Sequence, residues 1–229
     1  MVPYRRILES LADEGYREFT SSLIPGKEGI LGVRVPDIHR LAKTIIDEDW
    51  RSFLDEAPSC FEEEMLEAEV IASAPMDVDE RIRYTEEFIG TMDNWSVCDL
   101  FCSRWSFDVT ESDQVWTYFR GLMGSGMEYP MRASMVLRSM RFRDADHIRD
   151  IVGDARSFDH AGYYYRMGCA WSLCECFVYD REDVLNLLEQ GGLPIWTHNK
   201  TIQKIVESRR TSKEDRELVR SLRRKRSSG

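Results

Sequence analysis

An all-α fold, arranged as an α-solenoid of antiparallel helix pairs, is predicted by three features of the sequence. Apolar residues recur at i, i+3, i+4 and i+7 along almost the whole chain. Sustained alternation of β-branched residues is hard to find. About a dozen periodic segments, each roughly 8 to 20 residues long, follow one another through short connectors. Short connections make successive helices antiparallel neighbours, and the lack of a long linker favours a stack of pairs over a single bundle. No strict sequence repeat accompanies the pattern. A curved stack of this kind offers a concave face on which a nucleic-acid duplex or an extended peptide would fit.

The periodicity places candidate helices at 3–21, 36–48, 50–56, 61–74, 78–90, 95–104, 112–123, 129–142, 145–154, 160–178, 181–190, 197–209 and 213–224. Pro3, Pro36 and Pro130 each suit a first helical turn, where a missing N–H costs little because no intrahelical acceptor awaits it. Asp77, Asn94 and Ser112 are expected to cap exposed amides with their side-chain oxygens. Glycine marks the breaks: Pro25-Gly26-Lys27-Glu28-Gly29, the stretch Gly121 to Gly126, and Gly191-Gly192 each separate two periodic segments.

A chain of 229 residues with 42% hydrophobic content has ample material for one core. One domain is expected over 1–222, followed over 223–229 by a basic, disordered tail beginning Arg223-Arg224-Lys225-Arg226. No run approaches the roughly 18 apolar residues of a membrane span, and Met-Val-Pro-Tyr-Arg-Arg lacks the apolar stretch of an export signal. No membrane partner and a cytoplasmic location are therefore expected. Cys60, Cys98, Cys102, Cys169, Cys174 and Cys176 fall within apolar helical patterns and are expected as reduced thiols. Cys98 and Cys102 stand one turn apart, but the other cysteines and the scattered histidines lack a ligand spacing, so no metal site is expected. Neither a phosphate-binding glycine loop, nor a dinucleotide fingerprint, nor a Ser/His/Asp arrangement is present, so no nucleotide or redox cofactor is expected.

The net charge of −10 argues against general nucleic-acid binding, whose affinity comes largely from neutralising phosphates. The distribution softens that objection. From Asn199 onward 11 Lys and Arg face 4 acids, which leaves −17 over residues 1–198. With Glu62, Glu63, Glu64, Glu67 and Glu69 crowded into one segment, an acidic back and a basic front are expected on one molecule.

The residues that suggest chemistry are Trp95 and Asp99, in Asp93-Asn94-Trp95-Ser96-Val97-Cys98-Asp99. Four apart on a helix, they share a face and set a flat π-surface beside an acceptor that can hold a cation or aim a water. Trp171, in Gly168-Cys169-Ala170-Trp171, supplies a second indole. Taken alone, such a pair more often means core packing beside a capping or solvated carboxylate.

Five separated stretches, in order, resemble the DNA alkylation repair family. They are Gly32-Val33-Arg34-Val35-Pro36-Asp37-Ile38-His39-Arg40-Leu41-Ala42-Lys43; Asp93 to Asp99; Arg132 just after Pro130; Tyr163-Tyr164-Tyr165 with Ala170-Trp171; and Thr197-His198-Asn199-Lys200 with Lys204 and Glu207-Ser208. The similarity covers nearly the whole chain and points to the AlkD-like, HEAT-like-repeat DNA glycosylases. His39 departs from the pattern, since relatives often carry arginine there.

The resemblance implies a right-handed superhelix of HEAT-like helix pairs. It would hold duplex DNA on its concave face and excise positively charged N3- or N7-alkylated purines without flipping the base into a pocket. It assigns to Trp95, Trp171 and Asp99 the stabilisation of the cationic sugar formed during cleavage, and to Arg132 a hold on the DNA backbone near the lesion. Arg166, Lys200 and Lys204 are further candidates for phosphate contacts, the last two standing four apart on one helical face. Some branches of the family keep the scaffold without the excision activity. The alternative is therefore a non-catalytic helical-repeat module that binds DNA structures or a protein partner.

Overall fold

The computed structural model describes residues 2–225, which form fourteen α-helices and two short 3-10 turns, with no strand among the described residues. Two compact units, Met1–Val115 and Trp116–Gly229, are built on the same plan. In the first, α1 (Val2–Leu11), α2 (Glu14–Leu23), α3 (Val35–Asp47), α4 (Trp50–Leu54), α5 (Phe61–Ser73), α6 (Val78–Ile89) and α7 (Trp95–Arg104) follow in order. After α8 (Ser112–Gly121) come the helices of the second unit. These are α9 (Glu128–Arg141), α10 (Ala145–Ser157), α11 (Tyr163–Tyr179), α12 (Arg181–Gln190), α13 (Ile195–Glu207) and α14 (Lys213–Ser221).

Alternate helices lie side by side within each unit. In the first, α5 packs between α3 and α7, with α4 against α3 and α6 against α5; in the second, α11 packs between α9 and α13, with α10 and α12 against it. The apolar spacing read from sequence explains the layering, because each helix of the α3, α5, α7 row turns residues such as Ile38, Ala42, Leu66, Val97 and Phe101 into one core. Arg81 of α6 closes the end of α5, donating to the carbonyls of Ile71 and Ala74 at 2.7 Å each, so two terminal acceptors are satisfied by a buried cation. In the second unit Arg138, 0% exposed, donates to Asp154 at 2.6 Å and ties α9 to α10.

Most of the expected punctuation is present. Asp77 accepts from Glu80 N at 2.8 Å and Asn94 from Val97 N at 3.0 Å, Pro36 lies in the first turn of α3, and Gly126 and Gly191 end their segments in the left-handed region. Two expectations change. The helix anticipated over 3–21 is divided at Asp13, whose carboxylate accepts from Tyr16 N at 2.6 Å and caps α2. Gly32, at φ +90°, lets a loop close on that break: Asp13 N donates to Gly32 O at 3.1 Å, and a Cβ on Gly32 would lie 2.7 Å from Arg17 N. Ser112 is not a cap; Asp108 caps the 3-10 turn Val109–Glu111 in a reciprocal box with Glu111, and Ser112 Oγ donates back to Val109 O at 2.7 Å.

The crowded acids do not form an exposed acidic face. Glu62 is buried and accepts from the amides of Leu31, Gly32 and Val33 at 2.9, 2.7 and 3.2 Å, so it holds the loop that leads into α3. Glu63 accepts from Ser59 N and Oγ at 2.7 Å, and Glu69 takes Arg104 at 2.6 Å and His39 Nδ1 at 2.5 Å. All six cysteines are buried and unbridged. Among the described residues no helix is long and apolar enough to cross a membrane. Arg226 to Gly229, the end of the expected basic tail, lie outside the described residues.

Candidate functional site

Trp95 opens α7 as its first residue because Asn94, buried at the N-cap, fixes the helix start. The indole is held edge-on: Nε1 donates to Leu23 O at 3.1 Å at the end of α2. Asp93, just ahead of the cap, accepts from Lys27 at 2.9 Å, and Lys27 also donates to Glu64 of α5 at 2.6 Å. Burial raises the Asp93 carboxyl, but hydrogen bonds from Asn94 and Lys27 outweigh it and leave the group below the usual carboxylate range. Burial likewise lowers Lys27, yet Glu64 and Asp93 together hold it above the usual lysine range. The segment from Leu23 to Lys27 therefore clamps the first turn of α7 from two sides.

One face of α7 is core, with Val97, Cys98, Phe101 and Cys102 buried. Trp95 and Asp99 share another face and are half-buried, so the helix presents the indole and the carboxylate together, as their spacing requires. On neighbouring α5, burial and then the charge of Glu64 push the Glu67 carboxyl up to about 7.

In the second unit Arg132 is buried, 5% exposed, and Nη1 donates to Tyr164 O at 2.6 Å. A Cβ on Gly168 would lie 2.8 Å from Arg132 Cγ and 3.1 Å from Nη1, so the arginine side chain comes this close to α11 only because residue 168 has no side chain. Tyr164, Gly168 and Trp171 follow at spacings of four and three, which puts half-buried Trp171 on the same face of α11, one turn beyond the arginine. The α11 start is capped from α9: Glu128 accepts from Tyr164 N at 2.6 Å and Tyr165 N at 3.2 Å. The three tyrosines separate as a helix demands, Tyr165 buried, Tyr164 half-buried and Tyr163 exposed.

The other candidate cations are engaged locally. Arg166 donates to His160 O at 3.1 Å, with Asp159 3.9 Å from its guanidinium. Lys200 donates to Gln203 at 2.8 Å, and Lys204 stands 3.7 Å from Glu207. Sequence reasoning missed Lys27, Glu128 and Gly168, although a glycine three positions before a candidate tryptophan on a helix is a readable sign of close approach. Among the described residues no group of three or more His, Cys, Asp or Glu side chains is arranged to hold a metal ion.

Chemically, α7 offers an acceptor and an aromatic surface to a cation, and α9 with α11 offers a guanidinium and a second indole. A family model described as DNA alkylation repair enzyme matches residues 4–221. A search of curated proteins finds no match. With nearly the whole chain covered, the protein belongs to the DNA alkylation repair family.

Proposed function

We propose that the protein is a DNA glycosylase that excises N3- or N7-alkylated purines from duplex DNA without flipping the base. The observation that carries the reading is the pairing of Trp95 with Asp99 on one face of α7, its first turn clamped by Leu23 and Lys27. An alkylated purine already bears a positive charge, so the C1′–N bond breaks with its electron pair passing to the departing base, which leaves neutral. Water then adds to C1′ and loses a proton to solvent, leaving an abasic site. Little acid catalysis is required. What lowers the barrier is stabilisation of the oxocarbenium-like sugar: Asp99 supplies the opposite charge and aims the water, and the indoles of Trp95 and Trp171 add cation–π attraction of about 0.5–2 kcal/mol each. Arg132 holds a phosphate near the lesion, assisted by Arg166, Lys200 and Lys204. In this reading the scaffold is a right-handed stack of HEAT-like helix pairs with duplex DNA on its concave face.

A second reading, a non-catalytic module that binds DNA structures or a protein partner, is favoured by Arg132, whose guanidinium is spent on a backbone carbonyl in a buried setting. The experiment that decides is release of methylated base from alkylated duplex DNA by the wild type and Asp99→Asn. Release by the wild type, with at least a hundredfold loss in the variant and unchanged DNA affinity, is expected. Equal release by both, or none by the wild type, rejects the enzyme.

A further inference from the structure

A cleft of about 230 Å³ lies on α13, lined by Ile195, Trp196, Asn199, Lys200, Gln203 and Arg223. Its charge differs from that of three other clefts among the described residues. Each of those three sets a carboxylate beside its cations: Glu63 beside Arg5, Glu69 beside His39 and Arg104, Asp154 beside Arg120. This one holds two cations and no acid. Lys200 is oriented by the neutral amide of Gln203 at 2.8 Å, which positions the ammonium without neutralising it. The Lys200 Nζ also stands 5.5 Å from the centre of the Trp196 ring, and that ring is braced by Tyr163 at 5.6 Å.

Arg223 reaches the cleft because the chain after α14 is strapped across α13. His198 Nε2 donates to Leu222 O at 2.9 Å, Asn199 Nδ2 donates to Arg224 O at 2.8 Å, and Arg224 N donates back to Asn199 Oδ1 at 3.0 Å. The Arg224 guanidinium completes the strap by donating to Gly191 O at 3.1 Å. Three neighbouring residues of the stretch Thr197-His198-Asn199-Lys200 thus have distinct duties: two fasten the strap, and the third meets the arginine it delivers.

We propose that this cleft seats one phosphodiester of the DNA backbone, the phosphate between Lys200 and Arg223 and the adjoining deoxyribose against Trp196. This rests on DNA being the substrate. The volume is below the roughly 300–1,000 Å³ of pockets that enclose a whole small ligand, so it suits one segment of a polymer that continues outside. Two cationic side chains lining one acid-free, aromatic-walled hollow match a phosphate joined to a sugar.

The test is fluorescence anisotropy of the full chain with a labelled duplex over a series of NaCl concentrations, repeated with inorganic phosphate as competitor. Lys200→Gln/Arg223→Gln is expected to weaken binding about tenfold at low salt and to flatten the log–log salt slope by about one, because one phosphate contact is lost. Trp196→Ala is expected to weaken binding with the slope unchanged. Asn199→Ala, which keeps both cationic residues but unfastens the strap, is expected to reproduce the flattened slope; Arg149→Gln, on an arginine of α10 paired with Asp146, is the control. An unchanged slope in both the double variant and Asn199→Ala overturns the site, as does a wild type that does not bind duplex. Displacement of DNA by millimolar phosphate from the wild type but equally from the double variant also overturns it. Base release by the wild type is scored separately: its absence sinks the glycosylase while leaving the slopes to decide the cleft.

Discussion

Gly168→Ala sets two opposite effects against each other. In an unobstructed helix interior the change stabilises by about 0.5–1 kcal/mol, because alanine loses less backbone entropy on folding. At 168 the new methyl would stand 2.8 Å from Arg132 Cγ and 3.1 Å from Nη1, closer than packed atoms tolerate. The crowded atom is near the root of the arginine side chain, so swinging the tip away does not relieve it. Relief requires the whole side chain to turn, which breaks the 2.6 Å hydrogen bond to Tyr164 O; a bond from a charged donor is worth about 1.5–3 kcal/mol. The loss exceeds the gain, and a net destabilisation of about 0.5–2.5 kcal/mol is expected. Urea unfolding followed by circular dichroism measures it. Gly153 of α10, with nothing within 4 Å of an added Cβ, is the internal control, and Gly153→Ala should stabilise by about 0.5–1 kcal/mol. If Gly168→Ala stabilises as much as Gly153→Ala, Arg132 is not clamped against α11. In an Arg132→Ala background the obstruction is gone, and the sign of the Gly168→Ala effect should reverse.

Asp154→Ala leaves Arg138 charged and fully buried, so about 3–5 kcal/mol of stability should be lost in denaturant melts, whereas Arg138→Met/Asp154→Leu should recover most of it; equal losses in both would contradict a desolvated pair. Glu67, raised to about 7 by burial and then by Glu64, binds its proton more tightly folded than unfolded, so its contribution is complete below the unfolded value of 4.5 and is lost as pH rises through 7. At about 1.4 kcal/mol per unit, the wild type should lose about 2–3 kcal/mol of stability between pH 5 and pH 8 through this group, and Glu67→Gln should flatten that slope. An unaltered pH profile in the variant would count against a buried carboxyl.

How much of this was legible depended on whether a residue's partner was near in sequence. Asp77 and Asn94 were readable as caps because a cap bonds an amide only three positions away, and Trp95 with Asp99 was readable because helical spacing alone puts them on one face. Asp13 was hidden because the apolar period runs on through its break. The crowded glutamates misled for a deeper reason. A run such as Glu62-Glu63-Glu64 reads as a solvated surface, since like charges repel and ionised groups seek water. Here the three point in different directions around α5, to the amides of Leu31, Gly32 and Val33, to Ser59, and to Lys27, all brought in by segments distant from α5 in sequence or fixed by the turn before it. Each finds its own donors, so the run costs the fold little and contributes no continuous negative face. Part of the charge of −17 over residues 1–198 is offset inside the fold, where Glu64, Glu69 and Asp154 are paired with Lys27, Arg104 and Arg138. Glu62, Glu63, Glu69 and Asp154 each count toward it, yet all four are buried against amides, hydroxyls or cations. Glu69 and Asp154 are offset locally by Arg104 and Arg138, so the formal charge is not spread evenly over the surface, and the cleft proposed for a phosphodiester is lined by Lys200 and Arg223 with no acid.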